Sequence, residues 1–132
     1  MLRKQLTVAL VALAVLFAMA SQASADCRKR ISLDASAAGV QIGASGTAEA
    51  RAQGTAQRFK VSIDAAVADG TTFSVFANGQ LAGTITIALG AGELDLNNNN
   101  GKVLPAGVNP VCSIKTVEVR DGSGTAILTG SF

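Results

Sequence analysis

Residues 58–65, Arg-Phe-Lys-Val-Ser-Ile-Asp-Ala, alternate polar and apolar side chains without a break. A helix cannot gather Phe59, Val61, Ile63 and Ala65 on one face, whereas an extended strand does so at every second residue. A strand with one apolar face is unstable alone and must find neighbours that bury it. The same grammar recurs along the chain. Lys29–Asp34 reads as a strand, as do Phe73, Val75 and Ala77, then Leu81, Gly83, Ile85, Ile87 and Leu89 as one apolar face, then Ile114–Arg120 and Thr125–Phe132. Between the second and third of these lies Asn78-Gly79, a pair that tolerates the positive φ angles of a type I′ hairpin turn. Asp121-Gly122-Ser123-Gly124 marks a second hairpin. Gly-Thr follows the strands at irregular intervals (46, 54, 70, 83 and 124), which is turn punctuation and not a solenoid repeat.

Roughly eight short strands separated by turn residues predict an all-β, antiparallel sandwich or small barrel, and one-sided alternation with few large apolar residues favours the β-sandwich. The expected core draws its bulk from Phe59, Phe73, Phe76 and Phe132, the only aromatic residues after Phe17. Residues 35–46 are small and Gly/Ser-rich, and read as a loop or an edge strand over Val40–Ala44.

The first 25 residues carry a different pattern. Arg3 and Lys4 precede an apolar run from Leu6 to Ala20, and Ala23-Ser24-Ala25 forms a small-x-small site ahead of Asp26. This predicts a signal peptide over 1–25, cleavage between Ala25 and Asp26, and a single domain over 26–132. About 15 apolar residues is short for a span of about 20. Asp26 before Cys27 does not fit a lipid-acceptor site. The expected location is secreted or periplasmic, with no membrane anchor after cleavage.

In such a compartment Cys27 and Cys112, the two cysteines of the chain, are expected to form a disulfide; two free thiols are the rival reading. Each lies just ahead of a strand, so a bond would set those two strands in the same direction. Without Arg3 and Lys4, the eleven Lys and Arg become nine, equal to the nine Asp and Glu. A neutral domain exerts no long-range pull on nucleic acid. The local run Arg28-Lys29-Arg30 reads as a solvated edge.

The hairpin segments also carry a resemblance. Val75-Phe76-Ala77-Asn78-Gly79 running into Gly83-Thr84, then Gly92-Glu93-Leu94-Asp95-Leu96, then Val117-Glu118-Val119 through Asp121, Gly124-Thr125 and Leu128-Thr129-Gly130-Ser131-Phe132, resemble a type of small exported bacterial β-sandwich domain. The likeness spans residues 46–132 and implies a sandwich and export. It brings no catalytic residues, and the cysteine pair is not part of its pattern.

The available chemistry is narrow. The chain has no His, Tyr or Trp, which removes His-based activation of a nucleophile, imidazole metal ligation and most stacking platforms. No catalytic residue and no cofactor are expected, and the chain reads as a non-enzymatic binding or scaffold module of the envelope or extracellular space. Its partner would be a protein met through a sheet edge or the 97–109 loop. Two alternatives use oxygen chemistry. Paired carboxylates could hydrolyse an extracellular polysaccharide. Asp95, Asn97 and Asn99 match the first half of a calcium-loop spacing, so a weak calcium module is the other. That match stops at Gly101, one place late, and at Ala106, where a bidentate Glu belongs. The competing reading makes Asn97–Gly101 a turn that ends a strand and begins the least constrained loop of the chain, with Leu94 and Leu96 inward and Glu93 and Asp95 in water.

Overall fold

The computed structural model describes residues 26–132, and the expected signal segment 1–25 lies outside the described residues. Eight strands follow one another: β1 (Cys27–Ala35), β2 (Ser45–Gln53), β3 (Ala56–Asp64), β4 (Thr72–Ala77), β5 (Gln80–Thr86), β6 (Ala91–Asn97), β7 (Thr116–Arg120) and β8 (Ala126–Ser131). They form a sheet in the order β5-β4-β7-β8-β1-β2-β3-β6. Each neighbouring pair is antiparallel.

β1 joins the two halves of this sheet. Its residues 27–33 pair with β2, and Asp34 and Ala35 pair with Thr129 and Leu128 of β8. At the far ends, β5 and β6 meet without a ladder beyond the Ala88–Ala91 bridge of their turn. Side chains fill that seam: a Cβ on Gly83 would lie 2.9 Å from Leu94, and one on Gly92 2.6 Å from Ile85. The sheet is therefore nearly closed, with its two outer edges facing each other.

The alternation read from residues 58–65 is realised in β3, where Phe59, Val61, Ile63 and the following Ala65 are all buried. β2 opposes them with Ala48 and Ala50, so a small residue stands beside each large one: Ala48 faces Val61 and Ala50 faces Phe59. Leu94 and Leu96 of β6 continue these rows, opposite Val61 and Phe59. Both are half-buried, while Glu93 and Asp95 face outward as expected.

Four expectations are corrected. Residues 35–46 are neither a loop nor an edge strand; Ala37–Gln41 form one helical turn, α1. Ser36 caps it, accepting from the Gly39 amide through Oγ (3.1 Å) and donating to the Ala126 carbonyl (2.7 Å). Gly39 lies so close to the backbone that a Cβ would run into the Ile127 carbonyl. Secondly, β5 does not keep one apolar face. The register against β4 shifts between Val75 and Phe76, which buries Ala82 and turns Leu81 outward. Leu89 has a φ of 54° in the following turn and is exposed. Thirdly, Phe76 is not in the core but on the outer face, where the Arg120 guanidinium lies 4.0 Å from its ring centre. Phe73 and Phe59 are buried as expected, and Phe132 packs half-buried against the core.

The fourth concerns the connection from β6 to β7. It is not loosely held: Leu104, Val108, Val111 and Ile114 are all buried and lie in the core cluster. Short 3-10 turns at Ala106–Val108 and Val111–Ser113 give it the tight curvature that places these side chains.

The disulfide between Cys27 and Cys112 ties this connection to the start of β1, across a Cα–Cα distance of 5.8 Å. β1 and β7 are separated by β8 alone in an antiparallel order, so they run in the same direction, as the cysteine placement implied. The loop closed by the bond spans a sequence separation of 85. On the chain-entropy model, replacing both cysteines by Ala lowers stability by about 4 to 5 kcal/mol. Urea unfolding of the double variant checks this; an unchanged midpoint and slope would remove the bond from any account of stability.

Candidate functional site

The residues proposed for an ion site are occupied with one another and with the chain. Asp95 receives Arg58: Nε donates to Oδ1 at 2.9 Å and Nη2 reaches Oδ2. That bidentate hydrogen bond holds the Asp95 carboxyl below its ordinary range. Asn97 Oδ1 accepts the Asn99 amide at 3.1 Å. Asn98, which the calcium spacing passes over, is the most heavily bonded asparagine of the run. Its Oδ1 accepts from the Gln57 amide (2.9 Å) and its Nδ2 donates to the Thr55 carbonyl (2.7 Å). Asn100 then takes φ 56° and Gly101 φ 76°, turning the chain out of the sheet. Among the described residues no group of three or more His, Cys, Asp or Glu comes together.

Gln57 and Asn78 hold the long connection in place. The Gln57 side chain accepts the Val111 amide through Oε1 (2.8 Å) and donates to Asn109 Oδ1 (3.3 Å). Asn78 Oδ1 accepts the amides of Lys115 (2.8 Å) and Thr116 (3.2 Å), and its Nδ2 donates to the Ser113 carbonyl (3.2 Å). Neither role was legible in the sequence, where Asn78 signals only its own turn and Gln57 signals nothing.

The outer face of β1, β2, β3 and β6 carries the densest charge. Pairing register converts the outward residues of each strand into rows across the face. Arg28 stands opposite Arg51, Arg51 opposite Arg58, and Arg58 opposite Asn97. The next row reads Arg30, Glu49, Lys60, Asp95, and the one after it Ser32, Thr47, Ser62, Glu93. Of the cations, Arg58 pairs with Asp95, and Lys60 reaches Glu93 at 3.4 Å. Arg28, Arg30 and Arg51 have no ion pair among the described residues. Lys29, between two of them, points away from this face and donates to the Cys112 carbonyl at 3.2 Å.

Shallow depressions lie along the arginine row. One of about 500 Å³ is lined by Arg51, Gln53, Gln57, Arg58, Asp95, Asn97 and Asn99, among others. A second, of about 410 Å³, includes Asp26, Arg28, Arg51 and Gln53. A smaller one of about 90 Å³ includes Arg30, Glu49, Arg58 and Lys60. Arg51 lines the first two, and Arg58 lines the first and third. The depressions thus adjoin along one strip, and in each of them cations outnumber the single carboxylate.

On the opposite half, a groove of about 570 Å³ is bordered by Asp34, Phe76, Glu118, Arg120, Thr129 and Ser131. Its cation is already committed, since Arg120 contacts Glu118 and covers Phe76. At the β7–β8 turn, Asp121 accepts from the Ser123 amide and hydroxyl and from the Thr125 amide. Those bonds, led by the Ser123 hydroxyl, lower its pKa. Comparison with known proteins finds no matching family model, no matching curated protein and no matching solved structure.

Two outcomes follow from the charge pattern. Like charges directly opposite on neighbouring strands destabilise, so Arg51→Gln raises stability by about 0.2 to 1 kcal/mol in low salt, read as a higher unfolding midpoint. A lower midpoint would mean that Arg51 is not repelled by its neighbours. The lowered Asp95 pKa gives stability that is present above the ordinary carboxyl value of about 3.9 and is lost as pH falls through the folded value. Because the pair is partly exposed, the deficit of Asp95→Asn at pH 7 is at most about 1 kcal/mol. It vanishes on acidification, and a deficit independent of pH would remove the ion pair as its cause.

Proposed function

We propose that this chain is an exported, non-enzymatic β-sandwich that acts as a binding module, holding its ligand on the outer face of β1–β2–β3–β6. In the sandwich reading that half forms one layer and β8–β7–β4–β5 the other. β1 crosses between them at one side, and the β5–β6 seam, packed by side chains without a ladder, lies at the other. The hairpin likeness to small exported domains supports the same reading, and the disulfide agrees with an oxidising compartment.

The observation that carries the proposal is the row Arg28–Arg51–Arg58, a costly arrangement on a surface that folding alone would leave mixed in charge. The face offers cations and amides at a shallow surface, with its carboxylates Asp95 and Glu93 paired to Arg58 and Lys60, which is the chemistry of holding and not of bond breaking. The hydrolase alternative needs two carboxyls about 5 to 10 Å apart, one of them held protonated by its surroundings. The two carboxyls with displaced pKa values, Asp95 and Asp121, both move the opposite way. Glu93, Asp95 and Glu118 are each joined to a cation.

The test begins with the protein recovered after export, whose amino terminus should be Asp26. It is then incubated with a panel of neutral and acidic polysaccharides, following both co-sedimentation and new reducing ends. Retention on at least one polymer with no new reducing ends is the expected result. Cleavage that scales with protein concentration would replace this reading with the hydrolase.

A further inference from the structure

The ligand chemistry can be read from the spacing and type of groups on this face, given the binding role proposed above. We infer that the Arg28–Arg51–Arg58 strip binds an acidic polysaccharide, a sugar chain bearing carboxylates at regular intervals, laid across the strands.

Three features converge on that class. The first is repetition. Neighbouring strands are about 4.8 Å apart, so Arg28 and Arg51 present two unpaired charges at adjacent strand steps, with Arg58, forked onto Asp95, at the third. A polymer with an anion on every sugar unit meets such a row several times, whereas a single small anion would use one position and leave the repulsion of the others. The second is geometry. A guanidinium forks onto a carboxylate through two parallel N–H groups, and Arg58 already does this with Asp95 on the same face. Arg51 and Arg28 have no such partner among the described residues and can offer theirs outward.

The third is what flanks the charges. Gln53 and Asn99 border the largest depression of the strip. Amides of this kind donate to and accept from sugar hydroxyls, whereas the Gln57 amide and the Asn97 oxygen on the same border are taken by the chain itself. Phe76 and Phe132, the half-buried aromatic residues, are absent from the lining of all three depressions. Single-stranded nucleic acid would be expected to find stacking surfaces, and duplex nucleic acid a broader field of positive charge. Here the next rows introduce Glu49, Glu93 and Asp95, which confine the cationic surface to a narrow track.

Binding is measured on the exported protein with the disulfide intact, using polygalacturonate as the probe, in low salt and again near 1 M salt, where the Debye length is about 3 Å. Chondroitin sulfate, dextran and duplex DNA are run in parallel. The expected pattern is retention on polygalacturonate in low salt, loss in high salt, and none on dextran. Arg51→Gln and Arg28→Gln should each weaken binding roughly tenfold, while Lys115→Gln, an exposed charge outside the strip, should leave it unchanged. Thermal unfolding of each variant confirms that it remains folded, and Arg51→Gln should gain stability while losing affinity.

Equal binding by the arginine variants and the parent would overturn the assignment of the strip. So would absence of low-salt binding to polygalacturonate, and retention on dextran alone would do so while leaving the binding-module reading intact. Binding to DNA as strong as to polygalacturonate, with the same variant losses, would overturn the polysaccharide class in favour of nucleic acid. Stronger binding to chondroitin sulfate would keep the sugar polymer and assign its anions to sulfate. Release of reducing ends would overturn the binding-module reading itself.

Discussion

Everything in this sheet depends on how β1 divides its hydrogen bonds. Its first seven residues ladder with β2, and its last two with β8. Were it wholly committed to β2, the β4–β5–β7–β8 half would lose its hydrogen-bonded join to the rest. Two devices fix the division. At the start of the strand the disulfide pins Cys27 against the β6–β7 connection, and at its end Ser36 turns the chain onto the Ala126 carbonyl and into α1. Covalent and polar anchors thus bracket the one strand that both halves share.

The strand pattern was legible wherever alternation was unbroken and the turns carried their own residues. β3 and the turns of the two hairpins follow the sequence pattern. Phe76 shows a signal that was available and was outweighed: in Phe73-Ser-Val75-Phe-Ala77 the period of two puts residue 76 outside, yet its bulk argued for the core. Leu81 shows the opposite case, because a register shift moves it to the other face and nothing in one strand's sequence announces the shift. Helix α1 is too short to have a periodic signature. It persists because Gly39 nests against a carbonyl of β8 far away in sequence, which is a tertiary effect.

The charged face was invisible for a related reason. Arg28, Arg51 and Arg58 are scattered in the chain and become neighbours only through two registers, each set by the apolar residues on the other side of the strands. The core therefore decides the surface. With the alanines of β2 facing Val61 and Phe59 inward, the outward residues have no freedom to slip apart, and their repulsion is held in place by the packing beneath them. The asparagine run is the converse: its composition suggested ligands, and its geometry spends the oxygens of Asn97 and Asn98 on amides of the protein itself.

The adjacency of β1 and β8 has a temporal side. β1 is the earliest of the eight strands to be synthesised and β8 the last, yet each is the other's neighbour. The β1–β2–β3 meander can form from contacts close in sequence, but β6 must reach back to β3, and β7 to β4. Long-range pairings of this kind are slow because the chain between them must first be closed into loops. Whatever the order of the earlier steps, the β1 edge gains its β8 partner only when the last strand of the chain is at hand, so the join between the two halves is made from the two strands farthest apart in sequence.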